Sequence, residues 1–351
     1  MTQMTRDQID QAAAAGIITA KHAKAMRADL DAQALLPPSD VPIPQIGNED
    51  DLRFLRSFGD VFIGVGLILL ALGVSAITSF VGGGGPAYLL TALGAYGLAE
   101  YFGKHKRAHF PTLITALAFL VFVQRGLDGL GALGGLGAAV ITVVAMTLFY
   151  ARIRLPFCIA LIAISLLYLF FAILNQIAPD LLRSQFGGVL IVSGLAIFTV
   201  ALLYDRQDTH RRTRFADNAF WLHLLAAPLL IHGLVGYAIM DRTEFIFEVV
   251  PVLSISQSDA IIVLVATAVI TVVGLAINRR ALIVSSLGYV ALAIGWLVRD
   301  TNLNWSTTLS LTLILLGGSI VLLGMAWHPL RNQLIRVLPK WRIFPPPYEE
   351  A

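Results

Sequence analysis

Apolar residues in this chain come in runs of 16 to 25, each closed by charged or turn-forming residues. Soluble core elements show shorter bursts, or an alternation with polar positions that is missing here. A helix rises 1.5 Å per residue and a bilayer's hydrocarbon is about 30 Å thick, so runs of this length match a membrane crossing. Ten are present, at 58–81, 86–103, 109–124, 130–150, 155–177, 185–204, 215–239, 259–277, 281–298 and 306–327. They predict an all-α, polytopic membrane helix bundle of about ten transmembrane helices. The second and third are short, and "QRGLDG" makes the connection from the third to the fourth very tight.

Composition agrees with the pattern. Hydrophobic residues make up 57% of the 351 and charged residues 13%, too little polar surface to cover a water-soluble globule of this size. The net charge of +3 does not point to nucleic acid, because the basic residues sit in short clusters between apolar runs. "GKHKRAH", "ARIRL", "DRQDTHRRTR", "NRR" and the C-terminal tail hold 15 Lys and Arg, and under the ten-span count all fall on one side. The opposite connections hold Arg125, Arg183, Arg242 and Arg299, each close to an aspartate. The positive-inside rule then puts both termini in the cytosol, in a bacterial cytoplasmic (inner) membrane. Trp296 and Trp305 flank the last outer connection, where amphipathic rings settle.

Residues 1–36 read as a small cytosolic helical pair. Thr5 and Gln8 form a capping-box pattern, Gly16 ends the first helix, Thr19 caps the second, and Pro37 and Pro38 stop it. A polar start of this kind leaves no cleavable signal peptide to expect. Residues 37–57 form a proline-rich linker and an interfacial helix whose Leu52 and Leu55 share a face, 58–327 the transmembrane domain, and 328–351 a basic amphipathic tail. In that tail Arg331, Arg336, Lys340 and Arg342 are the expected basic contacts to the membrane surface.

Small residues recur at helical spacing. Gly59, Gly66 and Gly73 repeat every seven residues, Gly131 and Gly135 form a GxxxG, and Gly317 and Gly324 repeat the seven-residue step. Such stripes allow close helix packing, within the bundle or between copies. Similar ends of spans, "FGD" at 58–60 and "FAD" at 215–217, suggest that spans one to four and seven to ten are related. In the longest outer loop Asp241, Glu244, Glu248 and Asp259 surround an apolar stretch that reads as interfacial or re-entrant.

The seventh apolar run is unusual in carrying Asp217, Asn218, His223 and His232. Asp217 lies about one turn past Arg214, near the membrane interface, where a helix N-terminus favours a carboxylate. Asp60 has the same place in the first span, and Glu100 can pair with Lys104 one turn on. The histidines lie deeper, on opposite faces and bracketing Pro228. Asp217, Trp221 and His232 fall near one stripe, the candidate polar path, with His223, Asp60 and Glu100 as further candidates. Cys158 stands alone within an apolar run and reads as a buried hydrophobe. The chain has no HExxH, GxSxG or CxxC, and "GGGG" at 82–85 lacks the Lys-Ser/Thr of a phosphate loop. No enzyme activity, metal or cofactor is expected.

Gly16, Ile17, Ile18 and Thr19, followed by "RFLRSFGDVFIGVGLILLALGV", resemble an uncharacterised family of bacterial predicted integral membrane proteins. That family carries a short cytosolic helical pair before paired transmembrane helices. The resemblance implies location and layout and supplies no site residues. Two functions follow as expectations. One is a scaffold or regulator of a membrane assembly, with a protein partner engaged through residues 1–36. The alternative is a secondary transporter for a small solute, proton-coupled through the seventh span.

Overall fold

The computed structural model describes residues 6–35, 58–131, 133–208, 211, 213–239, 243–246, 250–253, 257–284, 287–299 and 304–338. The linker at 37–57, Thr5, Asp241, Glu248, Lys340 and Arg342 lie outside them. The chain divides into two compact units, Met1–Ile46 with Glu349–Ala351, and Gly47–Tyr348.

In the first unit α1 spans Arg6–Ala14 and α2 spans Ala20–Leu35. Gly16, at φ +72°, ends α1. Its N–H reaches Ala13 O and that of Ile17 reaches Ala12 O, a Schellman arrangement that satisfies the last carbonyls. Thr19 Oγ1 accepts the N–H of His22 at 3.3 Å and so caps α2.

The second unit is a helix bundle. Its elements are α3 (Phe58–Phe80), α4 (Gly84–Glu100), α5 (His109–Leu130), α6 (Gly134–Ile153), α7 (Phe157–Ile177), α8 (Pro179–Ser184) and α9 (Phe186–Gln207). They continue with α10 (Arg214–Ile239), α11 (Gln257–Ile277), α12 (Ala281–Val284), α13 (Leu287–Arg299) and α14 (Trp305–Val337). Each of the ten apolar runs is helical. Eight helices among the described residues are long and apolar enough to cross a membrane. The two others are shorter: α4 has 17 residues and α13 has 13, about 25 and 20 Å of rise. Large apolar side chains such as Phe62, Leu72, Leu148, Leu313 and Met325 face outwards, as a lipid solvent allows and water does not.

Two antiparallel hairpins, α4 with α5 and α9 with α10, are held by close backbone approach. A Cβ on Gly85 would lie 2.5 Å from Gly126 O, and one on Gly233 would lie 2.8 Å from Gly187 O. The stripes that spacing singled out behave differently. Among the described residues, Gly66, Gly73, Gly131, Gly135, Gly317 and Gly324 have no atom of another element within 4 Å of where a Cβ would stand, whereas Ala138, which forms a small-xxx-small pair with Gly134, is buried in the core. Only 11% of the most apolar stretch of α3 and 6% of that of α14 is buried, which leaves both helices at the margin of the bundle.

Three further expectations change. First, α5 continues through "QRGLDG" to Leu130 because the polar side chains there find partners. Gln124 Nε2 donates to Asp128 at 3.0 Å, and Thr142 Oγ1 donates to Gln124 at 2.8 Å. Left-handed Gly131 then ends the helix. Second, the apolar middle of the long loop is an antiparallel hairpin, β1 (Thr243–Ile246) against β2 (Val250–Leu253) with Thr243 opposite Leu253. Its β-branched and aromatic residues suit extended chain. Third, the last span and the expected tail helix are one 33-residue helix that carries Pro329 inside it.

Candidate functional site

At the end of α9 the sequence departs from local preference. Asp205 stands in the last turn, where the helix dipole disfavours a carboxylate, and it is 9% exposed. Such a group persists only with compensating partners, and two are supplied by distant parts of the chain. His223, on α10 and fully buried, donates from Nε2 to Asp205 Oδ2 at 2.8 Å. Arg279, just past α11, donates from Nε to the same oxygen at 3.3 Å and pairs closely through Nη2 with Oδ1. The same Nη2 reaches Ala216 O at 3.1 Å, and the Phe198 ring meets the imidazole edge-on at 5.1 Å between centroids. Asp205, His223 and Arg279 thus tie α9, α10 and α11 into one buried polar centre.

The backbone around the centre explains how Arg279 arrives there. Asn278 takes a left-handed conformation, φ +56°, which asparagine tolerates well. Arg279 N–H then folds back to Gly274 O at 2.8 Å, with Asn278 N–H on Leu275 O. Arg211 Nη2 donates to both Ile277 O and Asn278 O, at 2.9 and 2.8 Å, neutralising the carbonyl end of α11. Asp208 accepts from the N–H and the hydroxyl of Thr213 at 2.6 and 2.7 Å, which fixes the entry to α10. Trp327 Nε1 donates to Asn278 Oδ1 at 3.0 Å, joining α14 to the same corner, and the Arg280 guanidinium stands 5.3 Å from the Trp327 ring.

The sequence candidates scatter around this centre. His223 belongs to it. His232 is exposed, donates from Nδ1 to Pro228 O on its own helix at 2.7 Å, and meets Tyr289 edge-on. Asp217 is half-buried; Trp221, also half-buried, packs against Phe157 and Phe220. Asp60 is half-buried on α3. Glu100 forms a separate node, with Lys104 at 3.4 Å and with Arg152, whose Nε donates at 3.2 Å. Arg331, expected at the membrane surface, is instead fully buried; it lies one turn past Trp327 on the face of α14 that packs inwards. Arg336 is exposed.

Sequence reasoning missed Asp205, Arg279, Arg211, Asn278 and Trp327. Asp205 and Arg279 were hidden because both read as members of basic connections, 74 residues apart. The available signal was the aspartate itself, which closes an apolar run at the wrong end of a helix. No protein-family model, no curated protein and no solved structure matches the chain.

Proposed function

We propose that the chain is a secondary transporter for a small solute, in a bacterial cytoplasmic membrane with both termini in the cytosol, and that Asp205, His223 and Arg279 form its proton-exchanging centre. The observation that carries this reading is a histidine with no exposure whose carboxylate partner is shared with an arginine. Ionisable groups among membrane helices face functional pathways or each other, and histidine changes charge near neutral pH. With His223 neutral, the carboxylate and the guanidinium balance. A proton on His223 gives the triad a net positive charge, strengthens the hold of His223 on Asp205 Oδ2 and weakens that of Arg279 on the same oxygen. The contact of α9 and α10 with the end of α11 then has two arrangements to choose between, which coupled transport requires.

The test uses the purified full chain in liposomes that enclose a pH-sensitive dye, challenged with a broad panel of small solutes. Wild type is expected to move protons when one class of solute is added, and His223→Gln to lose at least about 90% of that movement. Asp217→Asn and His232→Ala, outside the triad, keep most of it. Wild type indistinguishable from protein-free liposomes across the panel would overturn the reading.

A scaffold or regulatory role in a membrane assembly is the second reading, favoured by the α1–α2 pair forming a compact unit of its own. It predicts a stoichiometric partner that co-purifies with the full chain and is lost on deleting residues 1–36. Full retention of that partner by the truncated chain would count against it.

A further inference from the structure

The two tight hairpins of the bundle agree residue for residue. In α4 and α5, Gly85 packs on Gly126 and Gly129, and Gly126 faces Leu89. In α9 and α10, Gly187 packs on Gly233 and Gly236, and Gly233 faces Ile191. These contacts set the register without reference to sequence: Gly85 and Leu89 match Gly187 and Ile191, while Gly126 and Gly129 match Gly233 and Gly236. The sequences then agree. "RGLDG" at 125–129 falls on "HGLVG" at 232–236, and "TALGAY" at 91–96 falls on "SGLAIF" at 193–198. Burial follows the same register. The buried positions of α4 (Gly85, Ala92, Ala95 and Ala99) fall on Gly187, Gly194, Ile197 and Ala201 of α9, all buried. In the second helix, buried Thr112, Thr115, Ala116 and Leu120 fall on Ala219, Leu222, His223 and Ala227, all buried, while buried Phe122, Val123 and Leu127 fall on half-buried Leu229 and Leu230 and exposed Leu234.

The third helix extends the match. Both α6 and α11 end in a left-handed residue, Arg154 and Asn278. Two further pairs around that point are buried on both sides, Ile153 with Ile277 and Cys158 with Leu282. The repeat therefore relates the second, third and fourth membrane segments to the sixth, seventh and eighth, not the first four to the last four.

We infer that α4–α6 and α9–α11 are two copies of one three-helix unit, and that the Asp205–His223–Arg279 centre is an addition made in the second copy which the fold itself does not require. In the first copy the same register falls on Gly103, which lies in a π-helical segment (Tyr101–Lys106) that continues α4 and has no counterpart in α9, and on Ala116 and Leu155. None of the three carries a charge; Ala116 is buried, and Gly103 and Leu155 are half-buried. A Cβ on Gly103 would meet Thr112 on α5 and Ile153 at the end of α6, whose counterparts are Ala219, one turn before His223, and Ile277, two residues before Arg279. Ala116 is fully buried with Met146 and Phe149, and Leu155 packs on that cluster. The first unit therefore carries no charge at these three positions, its Glu100–Arg152 pair lying about one turn away and partly exposed, while the other unit carries a carboxylate, an imidazole and a guanidinium there. A buried ion cluster gains little over an apolar core of similar shape, so stability alone does not account for the triad. Its chemical role rests on the transporter reading; the duplication does not.

The experiment makes the second corner resemble the first, in the full chain, with the triple variant Asp205→Ala, His223→Ala and Arg279→Leu. Alanine replaces the glycine of the first copy at 205 because it is the better helix former. Asp205→Ala alone strands a buried guanidinium and is expected to lower the thermal midpoint by on the order of 10 °C. The triple variant is expected to melt above that single variant, with proton movement in dye-loaded liposomes at background. A triple variant melting at or below Asp205→Ala, or failing to fold, overturns the inference. So does a folded triple variant that still moves protons at the wild-type rate. A wild type with no solute-dependent proton movement defeats only the transporter reading, since the order of the melting points still decides whether the fold requires the triad.

Discussion

Replacing Gly85 by alanine tests the hairpin geometry at its closest point. The added Cβ would lie 2.5 Å from Gly126 O and 2.6 Å from Leu130 N, against a normal carbon–oxygen approach of about 3.3 Å. All the nearest atoms are backbone, so no side chain can swing aside. Relieving the contact means separating α4 from α5 by roughly 0.8 Å, and a gap of that size forfeits a quarter to a half of the dispersion attraction along the seam. Overpacking of this kind costs about 1–3 kcal/mol, from which alanine's better helix propensity recovers up to ~1 kcal/mol. A membrane domain of this size should then melt about 5 °C lower. Gly94→Ala is the control on the same helix: nothing stands within 4 Å of its Cβ, so its midpoint should hold or rise slightly. Fluorescence-detected size exclusion after a heat series in detergent reads both variants. Equal midpoints for the two would refute the reasoning.

Other outcomes follow from the same geometry. Gly233→Ala should match Gly85→Ala in size, since its Cβ would meet Gly187 O at 2.8 Å and Ile191 N at 2.8 Å; the same heat series checks it. Trp327→Phe removes a buried donor from Asn278 Oδ1 and should cost about 1–3 kcal/mol, read as a lower melting midpoint. Glu100→Gln breaks a node whose Arg152 side chain is 56% exposed, so no measurable change in midpoint is expected. Arg211→Ala, in contrast, removes the one nitrogen that donates to two carbonyls at the end of α11 and should speed amide exchange there.

The helices were legible in the sequence because a bilayer imposes a length and a polarity that one chain records in full. Nine of the ten apolar runs match one helix each, the run at 281–298 holds α12 and α13, and the limits of α9 and α10 lie within three residues of those the pattern gives. The pattern stopped α5 too early because it counts Gln124 and Asp128 as interruptions and cannot see that they bond to each other and to Thr142. Glycine spacing misled for a related reason. It records which positions are small, whereas packing depends on which of them meets another helix, so Gly66 and Gly73 were marked while Gly85 and Gly187 were not. The candidate site was half legible. His223 was noted as an ionisable residue within a span, but the stripe of His232 was preferred to it, because depth alone does not say what either faces. Asp205 and Arg279 need the fold of three helices to come together, and nothing local to either residue announces the pairing.

The most direct measurement is a double-mutant cycle between Asp205→Asn and His223→Gln, scored by unfolding free energy in detergent. If the two share one buried hydrogen bond within a charged centre, the double variant is less destabilised than the sum of the singles, with a coupling of about 1–3 kcal/mol. Effects that add to within about 0.5 kcal/mol would contradict the account, leaving two unrelated polar residues where it places a single centre.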